Sequence, residues 1–163
     1  MNRFHAVVLV LLAGCASSPL LVTQSSPPYQ GPIIDVHTHV IENSESTLSQ
    51  KASRPLHLAA MRAAGIRGSV VLPIAPKGDL AKTRELNDRA LEFARLNPEL
   101  VIPFASVHPH DGEAAFAELQ RAARAGARGL KLHPNTQHFD VASPAVAALV
   151  DRAAALQLPV SLF

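Results

Sequence analysis

Short apolar runs alternate with helical patterns from Ile33 onward, and this alternation constrains the fold more than any other feature. The runs are rich in β-branched residues, and their starts recur roughly every 30 residues, the length of one βα unit. Strands that alternate with helices form a parallel sheet covered by helices. Five strands are predicted, over Ile33–Val40, Ser69–Ile74, Pro103–Val107, Gly129–His133 and Pro159–Phe163, with Pro103 and Pro159 tolerated as first residues.

Helical segments are predicted between these strands, most of them after a residue that can cap a first turn. The capped helices cover 80–96 after Asp79, 113–125 after Asp111 and 144–156 after Ser143. A weaker pattern predicts a helix over Leu56–Ala64, in which His57 is expected to lie on the surface. A (β/α)8 barrel and an open doubly wound sheet both satisfy this order. No Gly-x-Gly-x-x-Gly follows the first strand, which counts against a dinucleotide fold.

Composition excludes several classes of protein. Hydrophobic residues make up 48% and charged residues 17%, which is typical of a folded domain and not of a disordered chain. The net charge is +2 and the basic residues are scattered, so nucleic acid is not an expected partner. With one cysteine, the chain forms no internal disulfide. Its 163 residues are too few for a complete (β/α)8 barrel, which takes roughly 250.

The N-terminal segment is predicted to direct the chain to the cell envelope. Arg3 precedes eight apolar residues, Ala6–Ala13, which is far short of the ~20 needed to span a bilayer but fits a signal-peptide core. The following Cys15, in the run Leu-Ala-Gly-Cys, resembles the lipidated cysteine of a bacterial lipobox. Residues 1–14 are then a signal peptide and residues 15–32 a lipidated, flexible tether. By analogy with such lipoproteins, Ala16 favours the outer membrane, facing the periplasm.

The sequence Asp35-Val36-His37-Thr38-His39 carries the clearest chemistry. Side chains alternate along a strand, so His37 and His39 are expected on one face at its carboxyl end. Two such imidazoles can bind one divalent metal ion. Asp35 is expected on the same face, where its carboxylate could hold a ligand's second ring nitrogen. The alternative is a pair of solvent-facing histidines, because His-x-His alone is a weak motif.

The order of motifs resembles the amidohydrolase superfamily, and more narrowly its amidohydrolase-related branch of (β/α)8 metal-dependent hydrolases. The resemblance begins at Ile34-Asp35-Val36-His37-Thr38-His39 and continues through four later segments in order. These are 65–73 (GIRGSVVLP), Asn87 with 97–98 and 104–109 (FASVHP), 129–134 (GLKLHP), and 159–163 (PVSLF).

The resemblance implies metal-dependent hydrolysis of an amide, ester or lactone bond in a small-molecule substrate, with non-oxidative decarboxylation as the alternative within the family. His37 and His39 are then metal ligands, and the expected ion is zinc. Lys131 is expected to contact substrate or, when carboxylated, to bridge two metals; the alternative is a lysine that reaches solvent. His133 is expected at the mouth of the site, and His108 is a further candidate to line it. His110 and His138 are expected in loops.

Relatives in this family place further metal ligands later in the chain. The resemblance implies a histidine at the end of the fifth strand, directly after Phe163, and an aspartate on the eighth strand. The expectation is therefore the N-terminal half of a barrel, with four βα units and the start of strand five. A third reading is a truncated, non-catalytic periplasmic lipoprotein.

Overall fold

Parallel strands in chain order form the framework of the protein. The computed structural model describes residues 29–40 and 47–163, and within them six short strands are present. They pair in the orders β1-β2-β3 and β4-β5-β6, and every pairing is parallel. The strands are β1 (Ile33–Thr38), β2 (Ile66–Val71), β3 (Val101–Pro103), β4 (Ala105–Ser106), β5 (Leu130–Leu132) and β6 (Val160–Leu162). The predicted α/β class with a parallel sheet is confirmed.

The third predicted strand begins earlier than expected and is split in two at Phe104. Pro103 is the last residue of β3, not the first of a strand, and its carbonyl accepts a hydrogen bond from Arg128 N at 2.7 Å. Its own nitrogen has no hydrogen to donate on that side, so the ladder toward β5 resumes only at Ala105, whose N–H reaches the Gly129 carbonyl. Phe104 N–H still donates to the Val71 carbonyl. This bond keeps β3 and β4 in line as one interrupted strand.

Helices connect the strands, as the sequence predicts. They are α1 (Thr47–Ala63), α2 (Leu80–Leu96), α3 (Glu113–Arg124), α4 (Pro134–Gln137) and α5 (Pro144–Ala155). Asp79 caps α2 as expected, because its carboxylate accepts from Lys82 N at 2.8 Å. Helix α1 is longer than predicted and contains Pro55. The turn before the proline is anchored by Arg54, whose guanidinium donates to the Arg89 carbonyl and lies over the Phe93 ring.

Two helix starts differ from the sequence prediction. Asp111 does not cap α3, because Pro109–Asp111 forms a 3-10 turn and Gly112, at φ 55°, takes the cap position. That left-handed conformation suits glycine. The Asp111 carboxylate accepts instead from Gly78 N. Ser143 does precede α5, but its hydroxyl makes no capping bond and is buried without a hydrogen-bond partner.

Two apolar clusters hold the helices against the strands. The larger joins β4 and β5 to α3 and α5, with Leu119, Leu130 and Leu149 fully buried at its centre. The smaller joins β2 to α2 through Val71, Leu86 and Phe93. The helices thus cover one face of the strands. The opposite face, here called the open face, is lined by Val36, Val70, Phe104 and Val160, which border a cavity of about 510 Å³ with His37 and Phe163.

The predicted signal peptide, Cys15 and nearly all of the predicted tether lie outside the described residues. In the part of the chain that the structure describes, none of the helices has the length and apolar character needed to cross a bilayer.

Candidate functional site

An irregularity in β1 decides which side chains reach the open face. Asp35 pairs with Ser69 and Thr38 pairs with Val71, so three residue steps on β1 oppose two on β2. This is a β-bulge, and its extra residue places Val36 and His37 together on the open face. The same shift returns Thr38 to the helix-covered side, where it is buried opposite Val71.

The two histidine rings converge just beyond the bulge. The Nε2 atoms of His37 and His39 are 2.9 Å apart, and the rings meet edge to face. The Nδ1 atom of His39 lies 2.9 Å from the Leu72 carbonyl. A carbonyl only accepts, so His39 carries its hydrogen on Nδ1 and turns the Nε2 lone pair toward His37. In the protein alone, His37 is then the Nε2–H donor in this contact.

This spacing suits two ligands of one metal ion. Two nitrogens held 2.0–2.1 Å from an ion are about 2.9 Å apart at a right angle and about 3.3 Å apart at a tetrahedral angle. The hydrogen bond from His39 Nδ1 to a backbone carbonyl is the kind of outer contact that orients metal-binding histidines. The pair therefore fits a divalent ion. Within residues 29–40 and 53–163, no group of three or more His, Cys, Asp or Glu side chains is arranged to hold a metal ion.

The surroundings of His37 favour its neutral form. Burial lowers its pKa, and the nearby Lys131, His39 and His133 lower it further, against a smaller opposing effect of Asp35. A neutral imidazole is the form that binds metal. The Phe163 ring lies edge-on to the His37 ring, with 4.3 Å between centroids.

Asp35 does not share a face with the two histidines, and this part of the prediction is wrong. The bulge breaks the alternation on which it rested, and Asp35 lies with its pairing partner Ser69 on the side of α1. Its carboxylate accepts from the backbone N–H of His37 at 3.0 Å. Its charge also acts on His57 of α1, where it partly opposes the lowering of that pKa by burial. The Leu72 carbonyl holds the His39 ring in the way predicted for Asp35.

Lys131 lies on β5, between Ser106 of β4 and Ser161 of β6. It is 0% exposed, and its Nζ makes no hydrogen bond. The Phe163 ring lies 5.2 Å from Nζ, within range of a cation–π contact. Burial lowers the pKa of this amine. The alternative that Lys131 reaches solvent is therefore wrong.

His133 and His108 occupy different environments. His133 follows β5 and its ring caps the short helix α4, because Nδ1 accepts from Thr136 N at 3.2 Å. A positive charge on the His133 ring lowers the pKa of His37, so His133 lies near the His37 and His39 pair. His108 does not line a mouth. It is 0% exposed, Nε2 donates to the Gln137 carbonyl at 2.7 Å and Nδ1 accepts from His110 N. Both nitrogens of His108 are used inside the protein, so the prediction of a substrate contact is wrong.

Sequence reasoning missed two groups of residues that organise this edge of the sheet. Gln137 is buried, and its side-chain NH2 donates to the carbonyls of Ala75 and Val107 while its oxygen accepts from His133 N. It thereby ties together the segments that follow β2, β4 and β5. The second group, Thr38 with Ser69 and His57, is described below. A glutamine five residues after a strand gives no sequence signal of its own.

Comparison with known proteins places the fold. The family model for amidohydrolases matches residues 34–163. No curated protein sequence matches significantly. A candidate amidohydrolase from Staphylococcus aureus aligns at 15% identity and a TM-score of 0.67, over 81% of this chain and 47% of that one.

Two decarboxylases are also similar in structure. The 2,6-dihydroxybenzoate decarboxylase from Rhizobium aligns at 17% identity and a TM-score of 0.62, over 80% of this chain and 49% of that one. The 5-carboxyvanillate decarboxylase from Novosphingobium aromaticivorans, solved with manganese, aligns at 22% identity and a TM-score of 0.54, over 74% and 38%. The chain thus spans half or less of the length of these structures. At such identities the likeness shows a shared fold. Because the family model covers most of the sequence, the chain belongs to the amidohydrolase family.

Proposed function

We propose that this chain supplies the metal-binding strand of a metal-dependent hydrolase that acts on a small molecule. The convergence of the His37 and His39 Nε2 atoms at the carboxyl end of β1 carries the proposal. In barrels and open sheets of parallel strands, this end is where ligands bind and catalysis occurs. This chain spans about half of the length of its structural neighbours.

His37 and His39 would hold the ion, and zinc suits their imidazole nitrogens. Manganese is the alternative, since a structural neighbour was solved with that metal. A bound divalent ion lowers the pKa of water and polarises a scissile carbonyl. Lys131 supplies a buried amine beside the pair and would orient an anionic or carbonyl oxygen of the substrate. His133 would contact substrate from the segment after β5. The outer contact of the pair is the Leu72 carbonyl on His39.

Decarboxylation of an aromatic acid at the same site is a second candidate. Two observations favour it. Two structural neighbours are decarboxylases by name. Lys131 places an amine without a hydrogen-bond partner next to the metal pair, where it could pair with a substrate carboxylate.

Metal binding is the first test. The chain without residues 1–15 is dialysed to equilibrium against zinc and, separately, manganese, and bound metal is measured by atomic emission. We expect close to one ion per chain, lost in His37→Ala. His110→Ala is the matched control, because that ring is exposed and its backbone N–H bond to His108 survives the change. A folded wild-type chain that binds neither metal contradicts the proposal and favours the non-catalytic reading.

Separate assays on the metal-loaded chain distinguish the two types of reaction. Amide, ester and lactone substrates report hydrolysis, and release of carbon dioxide from hydroxylated benzoic acids reports decarboxylation. Turnover of hydrolytic substrates alone supports the first proposal, and turnover of aromatic acids alone supports the second. Lys131→Met is expected to abolish either activity while metal remains bound.

The cellular location of the protein is a separate proposal that rests on the sequence of residues 1–16. We propose that Cys15 is lipidated and anchors the chain to the outer membrane, facing the periplasm. Cell fractionation of Cys15→Ser tests it. The wild type is expected in the membrane fraction and the variant in the soluble periplasmic fraction. Membrane retention of Cys15→Ser would contradict the anchor.

A further inference from the structure

A chain of hydrogen bonds lies behind the metal pair, on the helix-covered side of the strands. The His57 Nε2 atom of α1 is 2.9 Å from the Ser69 hydroxyl of β2, and that hydroxyl is 2.9 Å from Thr38 Oγ1. Thr38 Oγ1 is 2.7 Å from the Val70 carbonyl. Ser69 and Thr38 are buried and His57 is half-buried. The surface position predicted for His57 is therefore wrong, because its ring faces the strands.

Valence alone sets the direction of every bond in this chain. The Val70 carbonyl can only accept, so the single hydroxyl hydrogen of Thr38 points to it. Thr38 must then accept from Ser69, which uses the single hydrogen of Ser69. Ser69 must in turn accept from His57, whose Nε2 therefore carries hydrogen. Each of the two hydroxyls donates once and accepts once, so removing one group leaves a buried partner unsatisfied.

Thr38 sits between His37 and His39, at the end of the bulge. Its backbone carbonyl accepts from Leu72 N at 2.9 Å, and the Leu72 carbonyl accepts from the His39 ring. A bulge leaves one residue outside the regular ladder, so its register depends on side-chain contacts more than that of a regular strand. The Thr38 hydroxyl is a side-chain contact of this kind, and it holds the strand to β2 between the two proposed ligands.

We propose that His57 is a positioning residue for the metal pair: through Ser69 and Thr38 it fixes the bulge in β1, and thereby the convergence of His37 and His39. The expected consequence of this role, a change in metal affinity, rests on the proposed function. His57 itself contacts neither ring of the pair in the geometry described above, and its effect passes through two hydroxyl groups.

Metal affinity tests the consequence. Zinc affinity is measured by competition with a chromophoric chelator for Thr38→Val, Ser69→Ala, His57→Leu and His57→Gln. Changes to the outer contacts of metal sites typically weaken affinity about 10- to 100-fold. We expect a loss of about tenfold in the first three variants and in the Thr38→Val/His57→Leu double variant, because both changes break one chain. His57→Gln retains an N–H donor at the end of a side chain of similar reach, and is expected to restore affinity to within about twofold of wild type.

Thr83→Val is the matched control for Thr38→Val. Thr83 is also buried, and its hydroxyl has no hydrogen-bond partner, so the same substitution removes no hydrogen bond. Its zinc affinity is expected to equal that of wild type. Wild-type affinity in Thr38→Val and His57→Leu would overturn the inference, and so would additive losses in the double variant. Equal losses in His57→Gln and His57→Leu would also overturn it, since they indicate a packing role.

Imidazole nitrogen NMR of the metal-free chain separates this inference from the proposed function. The wild type is expected to show hydrogen on Nε2 of His57 and on Nδ1 of His39. Thr38→Val and His57→Leu are expected to shift the His37 and His39 signals, whereas Thr83→Val leaves them in place. If the wild type bound no metal, the proposed function would fail while these spectra still decided the positioning role. Unchanged His37 and His39 signals in both variants would overturn it.

Discussion

The polar groups around β4 and those at the end of β1 are both held by side chains, yet they differ in how completely they are satisfied. Beside β4, Asn87 of α2 accepts from Ser106 N and donates to the Ser106 carbonyl and to Glu118. Glu118 is paired with Arg121 at 2.7 Å. At the open face, by contrast, the buried Lys131 amine has no hydrogen-bond partner. Such incompleteness is expected where a protein keeps groups for a ligand.

The largest effect is expected from breaking the satisfied region. Asn87→Ala removes three hydrogen bonds. The buried Ser106 N–H and carbonyl lose their side-chain partner, whereas Glu118 Oε1 keeps its bond from Arg121. The free energy of unfolding is expected to fall by about 3 kcal/mol, because unsatisfied buried polar groups carry the full desolvation cost. Urea denaturation measures it. Asn135→Ala, at an exposed position, is the control and is expected within about 0.5 kcal/mol of wild type. A cost below about 1 kcal/mol for Asn87→Ala would contradict the comparison.

At the open face, a substitution is expected to raise the free energy of unfolding instead of lowering it. Lys131→Met replaces a buried amine without a hydrogen-bond partner by an apolar side chain of similar length. We expect the free energy of unfolding of the metal-free chain to rise by about 1–2 kcal/mol, since no hydrogen bond is lost and a polar group without a hydrogen-bond partner is removed from the interior. Chemical denaturation at neutral pH measures this rise. If Lys131→Met were destabilising, Nζ would have a structural partner and its proposed role toward substrate would weaken.

The Glu118 network gives a pH-dependent test. Burial acts to raise the pKa of Glu118, but hydrogen bonds from Arg121, Asn87 and Arg84 outweigh it and leave the pKa below its ordinary value of 4.5. The stabilisation is therefore complete above about pH 4.5 and is lost as pH falls through the lower folded-state pKa. Glu118→Gln is expected to lose about 1–2 kcal/mol at pH 7. Its unfolding free energy should also fall less steeply than that of wild type between about pH 5 and pH 3. Parallel curves for the two proteins would show that Glu118 does not carry this dependence.

The smallest effect is expected at Thr83, a buried position that belongs to neither network. Thr83→Val removes a hydroxyl without a partner, so the free energy of unfolding is expected to stay within about 0.5 kcal/mol of wild type or to rise slightly. Thr38→Val, the same substitution at the end of the bulge, is expected to lower it by about 1 kcal/mol, because two hydrogen bonds are lost. Thermal unfolding compares the two variants. Equal effects would show that the Thr38 hydroxyl contributes no more than an unpartnered one.

Much of the fold could be predicted from the sequence because the relevant signals are local. The apolar runs and the Asp79 cap led to five strand positions and to the correct start of α2. The split at Phe104 was not predictable, since it depends on which neighbour the missing Pro103 N–H faces. Glycine is also needed at position 129, next to this split, because a side chain there would overlap the Phe104 ring.

The candidate site could be predicted in part from the sequence. The errors in that prediction have one common cause. The places of His37 and His39 at the end of a strand follow from the sequence, but the side of Asp35 does not, because alternation says nothing of a bulge. His108 and His57 gave no signal of their partners, Gln137 and Ser69, which come from segments 29 and 12 residues away. Contacts across the fold, and not local pattern, decide which histidines are used inside the protein.

X-ray absorption of the zinc-loaded chain tests most directly whether His37 and His39 together bind one metal ion. Two imidazole ligands at about 2.0–2.1 Å are expected in the wild type. One imidazole ligand or loss of the metal is expected in His39→Ala, and an unchanged spectrum in His110→Ala. A wild-type spectrum without imidazole scattering, or one that His39→Ala leaves unaltered, would contradict the claim.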